Sequence, residues 1–219
     1  AGIRVRMLAT WTAALEALQA RGVCLEQDGV RACFPVRAGA EAAECTGAEL
    51  ALVLVKHAQT ERAARQLARV LAPDGVALTL QNGIGAREIL ASQIGEPRAA
   101  AGVTTLGATL IEPGCVRPTA AGEIILGAHA RIAPLIDMLR QAGLPCRVEP
   151  DVESLLWGKL LVNAAVNPLS ALLRVPNGAL LEMPQARVVL EALVREAEAV
   201  ARAAAIHLPY PDTLAEVEK

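Results

Sequence analysis

Aromatic side chains are nearly absent from this 219-residue chain, with only two Trp, one Tyr and one Phe. Positive charge is not in excess either, since 21 Lys and Arg face 23 Asp and Glu. With so few rings to stack on bases and no basic surplus to neutralise phosphates, nucleic acid is not an expected partner. The five cysteines are an odd number and form no C-x-x-C pair. Neither a disulfide framework nor a zinc site is therefore expected, and a reducing cytoplasm fits best. His57, His129 and His207 stand far apart in sequence, so no metal-ligand motif is present. Long uninterrupted apolar runs are also missing. The start, AGIRVRMLATW, has two arginines and no extended apolar centre, and the most apolar stretch, residues 155–173, contains a lysine, two asparagines and a proline. No targeting segment and no membrane span are expected.

What remains is a composition that is 53% hydrophobic and 20% charged, enough apolar material for one large or two modest cores. Residues 4–8 read as a short strand and residues 12–20 as a helix ended by Gly22. Residues 23–37 alternate loosely around Asp28-Gly29, a hairpin signal. ELALVLV at 49–55 is a strand-length apolar run ending at Lys56, and a helix is predicted from about residue 60 to 71. After Pro73-Asp74-Gly75, a second apolar run at 76–80 leads into QNGIG and a helix from about 86 to 94. This alternation predicts a parallel sheet with crossover helices, whose ligands bind at the carboxyl ends of the strands, where Lys56 and Asn82 fall. The glycines after Asn82 let backbone approach a ligand at a helix N-terminus, which favours anions. Residues 102–150 read as further, largely antiparallel strands completing the sheet, with one helix over 132–142; after Asp151 nearly everything reads as helix. The predicted organisation is an α/β Rossmann-like domain over 1–150 and an all-α domain over 151–219.

The stretch LLWGKLLVNAAVNPLSALL at 155–173 carries the strongest chemical signal. Lys159, Asn163 and Asn167 recur every four residues, so at about 100° per residue they share an arc of roughly 80° on one face. A thin solvent face would explain a polar stripe, but such faces are usually filled with Glu, Lys or Gln, and Asn is a poor helix former. Amides and an ammonium on so apolar a helix need partners, which a ligand with carboxylate, carbonyl or hydroxyl groups would supply. The stripe is therefore expected to face a cavity, with Pro168 breaking or kinking the helix beside it.

LVLVKHAQT, LTLQNGIGAREIL, GVTTLGA and above all LLWGKLLVNAAVNPLSALLRVPNGALLE resemble the ketopantoate reductases (2-dehydropantoate 2-reductases), in order and over nearly the whole chain. That resemblance implies a Rossmann domain joined to a helical domain, with NADPH reducing ketopantoate to pantoate on the route to coenzyme A. It implies Lys159 as proton donor and Asn163, Asn167 and Asn177 as substrate-binding amides. Asn82 would contact both cofactor and substrate, and Lys56 and Ala108 would lie along the cofactor. It also implies a central fragment. The chain opens where the family's first helix runs into its second strand, without the G-x-G-x-x-G turn. The family continues past the equivalent of Lys219 to a serine and a glutamate of the active site.

The expected chemistry is hydride transfer to the C2 carbonyl with Lys159 donating the proton. NADP is favoured over NAD because Leu8-Ala9-Thr10-Trp11 lacks the acidic residue that would hold a ribose diol, and Arg4, Arg6 and Thr10 are candidates for the 2'-phosphate. The expected partner is a small 2-keto acid, and a homodimer is compatible with the sequence. Two alternatives stand beside this reading: reduction of another 2-keto acid, and a non-catalytic protein that keeps the fold for binding or dimerisation.

Overall fold

The computed structural model describes residues 3–218. The expected end of a preceding helix at Ala1-Gly2 lies outside the described residues. In chain order the elements of the first part are β1 (Arg6–Leu8), α1 (Thr12–Arg21), β2 (Val23–Gln27), β3 (Val30–Phe34), β4 (Arg37–Gly39), β5 (Ala48–Val53), α2 (Thr60–Val70), β6 (Leu71–Thr79), α3 (Ala86–Ile94), β7 (Ala99–Thr104), β8 (Gly107–Glu112), β9 (Cys115–Ala120), β10 (Ile124–Gly127), α4 (Ala133–Gln141) and β11 (Cys146–Glu149). Three helices follow: α5 (Val152–Leu173), α6 (Pro184–Ala203) and α7 (Thr213–Val217). The described residues form two compact units, one of residues 3–81 together with 86–149, the other of Asn82–Gly85 with residues 150–218.

The first unit is built on a five-stranded sheet of order β11-β10-β7-β6-β5. β5, β6 and β7 run parallel, whereas β10 is antiparallel to β7 and β11 parallel to β10. Both faces are covered, which is why these strands read as unbroken apolar runs. Ala77 packs on one side with Leu90 and Ile94 of α3, while its neighbours Val76 and Leu78 point to the other side, with Leu135 and Leu139 of α4. Leu78, Leu90 and Leu126 are completely buried, and each such side chain contributes about 1.5–3 kcal/mol of transfer free energy.

Two smaller sheets complete the unit. β1 and β4 pair in parallel, and β3-β2-β9-β8 form a four-stranded sheet. The hairpin at Asp28-Gly29 has positive φ at both residues, 52° and 76°, the conformation that joins twisted antiparallel strands in two residues. The expectation that all extended segments of 102–150 complete one sheet is corrected here. β8 and β9 leave the large sheet and join β2 and β3 instead. The absence of disulfides is corrected too, because Cys24 and Cys33 face one another across the hairpin with Cα atoms 4.0 Å apart and are bonded.

In the second unit, α5 opens with Asp151, whose carboxylate accepts the Ser154 backbone N–H at 3.0 Å. The helix then runs 22 residues to Arg174, a left-handed cap with φ 56°. Pro168 does not break the helix, which runs on to Leu173. Ala164, whose carbonyl loses its partner at Pro168, is exposed and open to water, and Ser170 Oγ donates to the Asn167 carbonyl at 3.2 Å. Leu161, Ala165 and Leu169 form the buried side of α5, against Leu190 and Val194 of α6 and Val217 of α7. By length and composition α5 could cross a membrane, and here one side of it packs against α6 and α7.

Candidate functional site

β5 and β6 end on the same rung of the large sheet, and β7 runs three residues beyond it. Val53 of β5 pairs with Thr79 of β6, and Thr79 with Ala101 of β7. Three residues beyond that rung stand Lys56, Asn82 and Thr104. Parallel pairing thus brings the ends of β5 and β6 to one edge, the edge at which open α/β sheets hold ligands, and Lys56 follows the first of them. Lys56 is exposed and immediately precedes a single turn of 3-10 helix, His57–Gln59. Asn82 is exposed and opens a turn in which Gly83 and Gly85 have φ of 96° and 89°. No heavy atom lies within 4 Å of where a Cβ on Gly83 would sit. The backbone before α3 is therefore bare.

What holds this edge is a residue that sequence reasoning passed over. Gln81 Nε2 donates to the Val55 carbonyl at 2.6 Å and to Thr60 Oγ1 at 3.0 Å, and Thr79 Oγ1 donates to Gln81 Oε1 at 2.9 Å. Thr60 is fully buried and Thr79 nearly so. One amide thus ties the end of β5, the first residue of α2 and the end of β6. A glutamine beside a known turn signal looks like loop polarity in sequence. Only the pairing of β5 with β6 reveals three partners converging on it.

Ala108 is exposed on β8, in the four-stranded sheet. It follows the carboxyl end of β7 by four residues. Of the residues considered for a 2'-phosphate, Thr10 follows the carboxyl end of β1, Arg6 occupies its first position, and Arg4 precedes the strand.

The other polar group belongs to the helical unit. Lys159, Asn163 and Asn167 lie on α5 two residues out of step with Leu161, Ala165 and Leu169, so at about 100° per residue the two stripes are on opposite sides of the helix. Asn167 Nδ2 donates to Asn163 Oδ1 at 3.4 Å, which confirms that successive members of the stripe stack. Lys159 and Asn163 are half-buried and Asn167 is exposed. Burial holds the Lys159 ammonium below the ordinary lysine pKa, because desolvation disfavours the charged form. Next to it, Gly158 is buried so closely that a Cβ would come within 2.7 Å of the Pro209 ring, which fixes the turn of helix that carries the lysine. Asn177 is exposed at the start of the Asn177–Leu180 turn that follows α5. The Asn82–Gly85 turn belongs to the same compact unit as this helix. An acid of lowered pKa and amides that donate and accept on one face can bind an oxyanion or carbonyl and deliver a proton to it.

Comparison with known proteins gives the same sequence span in two parts. Residues 1–131 match the family described as "Ketopantoate reductase PanE/ApbA", and residues 151–219 match "Ketopantoate reductase PanE/ApbA C terminal". A 2-dehydropantoate 2-reductase of Halobacterium salinarum is 39% identical over 162 residues, covering 71% of this chain and 53% of that protein. One from Archaeoglobus fulgidus is 36% identical, covering 70% and 52%. The chain spans about half the length of the curated relatives it matches. Among solved structures, a PanE/ApbA family ketopantoate reductase from Ralstonia eutropha JMP134 superposes with a TM-score of 0.90 at 30% identity, over 99% of this chain and 72% of that one. A D-mandelate dehydrogenase solved with NADH and anilino(oxo)acetate has the same TM-score at 22% identity, a likeness of fold.

Proposed function

The chain belongs to the ketopantoate reductase family, and we propose that the protein carrying it reduces ketopantoate to pantoate with NADPH, for pantothenate and coenzyme A synthesis. The observation that carries this reading is the stacked stripe of Lys159, Asn163 and Asn167, with a lysine whose pKa is lowered by burial.

The residues present fit a nicotinamide nucleotide. Lys56 offers a cation and Asn82 an amide after the strand ends, and the open position at Gly83 precedes the N-terminus of α3, an end that favours anions. Thr10, after the carboxyl end of β1, is assigned to the 2'-phosphate, and Ala108 to the cofactor's flank. When bound, NADPH supplies the hydride that turns the C2 carbonyl into an alcohol. Asn163, Asn167 and Asn177 orient the substrate's carboxylate and hydroxyl without adding charge, and Asn82 serves both ligands. Lys159 gives its Nζ proton to the carbonyl oxygen as that oxygen becomes negative. General-acid help of this kind is worth about 10² to 10⁴ in rate, or about 3–5 kcal/mol.

Ketopantoate-dependent NADPH oxidation by the full-length protein tests the reading, and no turnover would overturn it. The amides read the carboxylate and carbonyl that all 2-keto acids share, so a panel of these acids decides whether ketopantoate is preferred. Titration with NADPH and NADH decides the cofactor, with tighter NADPH binding expected. We assign the protein to the cytoplasm and to a small keto-acid partner. A homodimer suits the apolar residues Val188 and Val200 exposed on α6, and sedimentation of the full-length protein tests it.

A further inference from the structure

Three cysteines occupy one row of the four-stranded sheet. Cys33 on β3 pairs with Cys24 on β2, and Cys24 pairs with Cys115 on β9. The strands are consecutive in the order β3-β2-β9, and residues paired in register project from the same face. Cys24 is thus flanked by a sulfur on each side. It is bonded to Cys33, while Cys115 is a free thiol. Neighbouring strands lie about 4.8 Å apart, within the Cα separation that a disulfide spans, so either neighbour can bond Cys24. Their exposures differ. Cys24 and Cys115 are completely buried, whereas Cys33 is exposed.

We infer that this row is a thiol–disulfide exchange site in which the bond moves one strand across the sheet, from Cys24–Cys33 to Cys24–Cys115, and unmasks Cys33 as a surface thiol. Cys115 loses its proton and its Sγ attacks Cys24 Sγ from the side opposite Cys33, the in-line direction that exchange requires. A Cys115–Cys24 bond forms, the Cys24–Cys33 bond breaks, and the departing Cys33 sulfur takes up a proton. No oxidant or reductant is consumed. Two positions along the same face, Glu26 pairs with Arg31 at 2.9 Å and with Arg117. The unmasked Cys33 thiol is then open to exchange with a small disulfide, such as an oxidised glutathione-type peptide, one half of which leaves as a thiol. This inference is independent of the catalytic reading.

The test is a disulfide map of the full chain equilibrated with oxidised dithiothreitol at mildly alkaline pH, quenched in acid and digested for mass spectrometry, with maleimide labelling of the native protein in parallel. The expected result is a Cys24–Cys115 linked peptide together with maleimide on Cys33. Cys115→Ala should remove that peptide and cut Cys33 labelling by about tenfold or more. A map with only Cys24–Cys33 linkage, or with no bond at Cys24, overturns the proposal. So does Cys33 labelling that is equal in wild type and Cys115→Ala. The wild-type map decides alone if the variant does not fold.

Discussion

Lys159 combines two properties that are hard to hold together, a charge and partial burial, and its chemistry follows from that conflict. Desolvation moves its pKa down, which makes the ammonium a readier proton donor. If it is the acid, Lys159→Ala in the full-length enzyme lowers kcat by about 10² to 10⁴ with a smaller change in KM, read from steady-state NADPH oxidation. The pH profile has a defined sign: reduction needs the protonated form, so kcat is level at low pH and falls as pH rises through a value below that of an ordinary lysine. A fall displaced upward to the ordinary value would place the catalytic proton elsewhere. Linkage gives stability the opposite dependence on pH, since the unfolded chain binds this proton more tightly. Stability therefore rises with pH between the folded and unfolded values. Gln81 acts by position instead. Gln81→Ala removes the side-chain partner of the Thr60 hydroxyl and the Val55 carbonyl, and leaves Thr79 Oγ1 with the backbone N–H of residue 81. It should cost about 1–3 kcal/mol in urea unfolding and weaken NADPH binding by loosening Lys56 and Asn82. Unchanged affinity in a destabilised variant would confine Gln81 to folding.

At the level of elements, what the sequence shows depends on whether the cause is local. The helix over Thr12–Arg21, the Asp28-Gly29 hairpin, the parallel β5 and β6 and the helix Ala86–Ile94 are legible because period, cap and turn chemistry lie within each segment. The stacking of Asn163 on Asn167 is legible for the same reason, being fixed by the helical repeat. The departure of β8 and β9 to a second sheet, the bond between Cys24 and Cys33 and the partners of Gln81 are not, since each depends on which distant strand arrives alongside. Pro168 is instructive because a strong local rule fails there. Core contacts at Leu161, Ala165 and Leu169 carry α5 through the proline, so tertiary burial outweighs the missing hydrogen bond and the ring clash. The helix should therefore gain from losing the ring. Pro168→Ala is predicted to raise stability by about 1–3 kcal/mol in denaturant unfolding, while any loss of kcat would show that the proline serves the neighbouring Asn167.

For the molecule as a whole, the buried residues fall into sets with no common member. Leu78, Leu90 and Leu126 fill the two faces of the large sheet, whereas Leu161, Leu190 and Val194 fill the helical unit. The two units thus have separate cores, each of which can be weakened alone. Leu78→Ala and Leu190→Ala each remove a completely buried side chain, a change that costs about 2–5 kcal/mol from lost transfer energy and the cavity left behind. Native-state hydrogen exchange reads where that cost appears. Leu78→Ala should speed exchange of the slowest amides in β5–β7 and leave those of α5 and α6 near wild type, and Leu190→Ala should do the reverse. If either variant accelerated both sets equally, the two cores would open as one cooperative unit. The amides of Asn82–Gly85 are the informative ones, because their chain neighbours belong to the sheet unit while the turn itself belongs to the helical one. They should follow Leu190→Ala, and in doing so show that Asn82 shares the stability of the unit that carries Lys159.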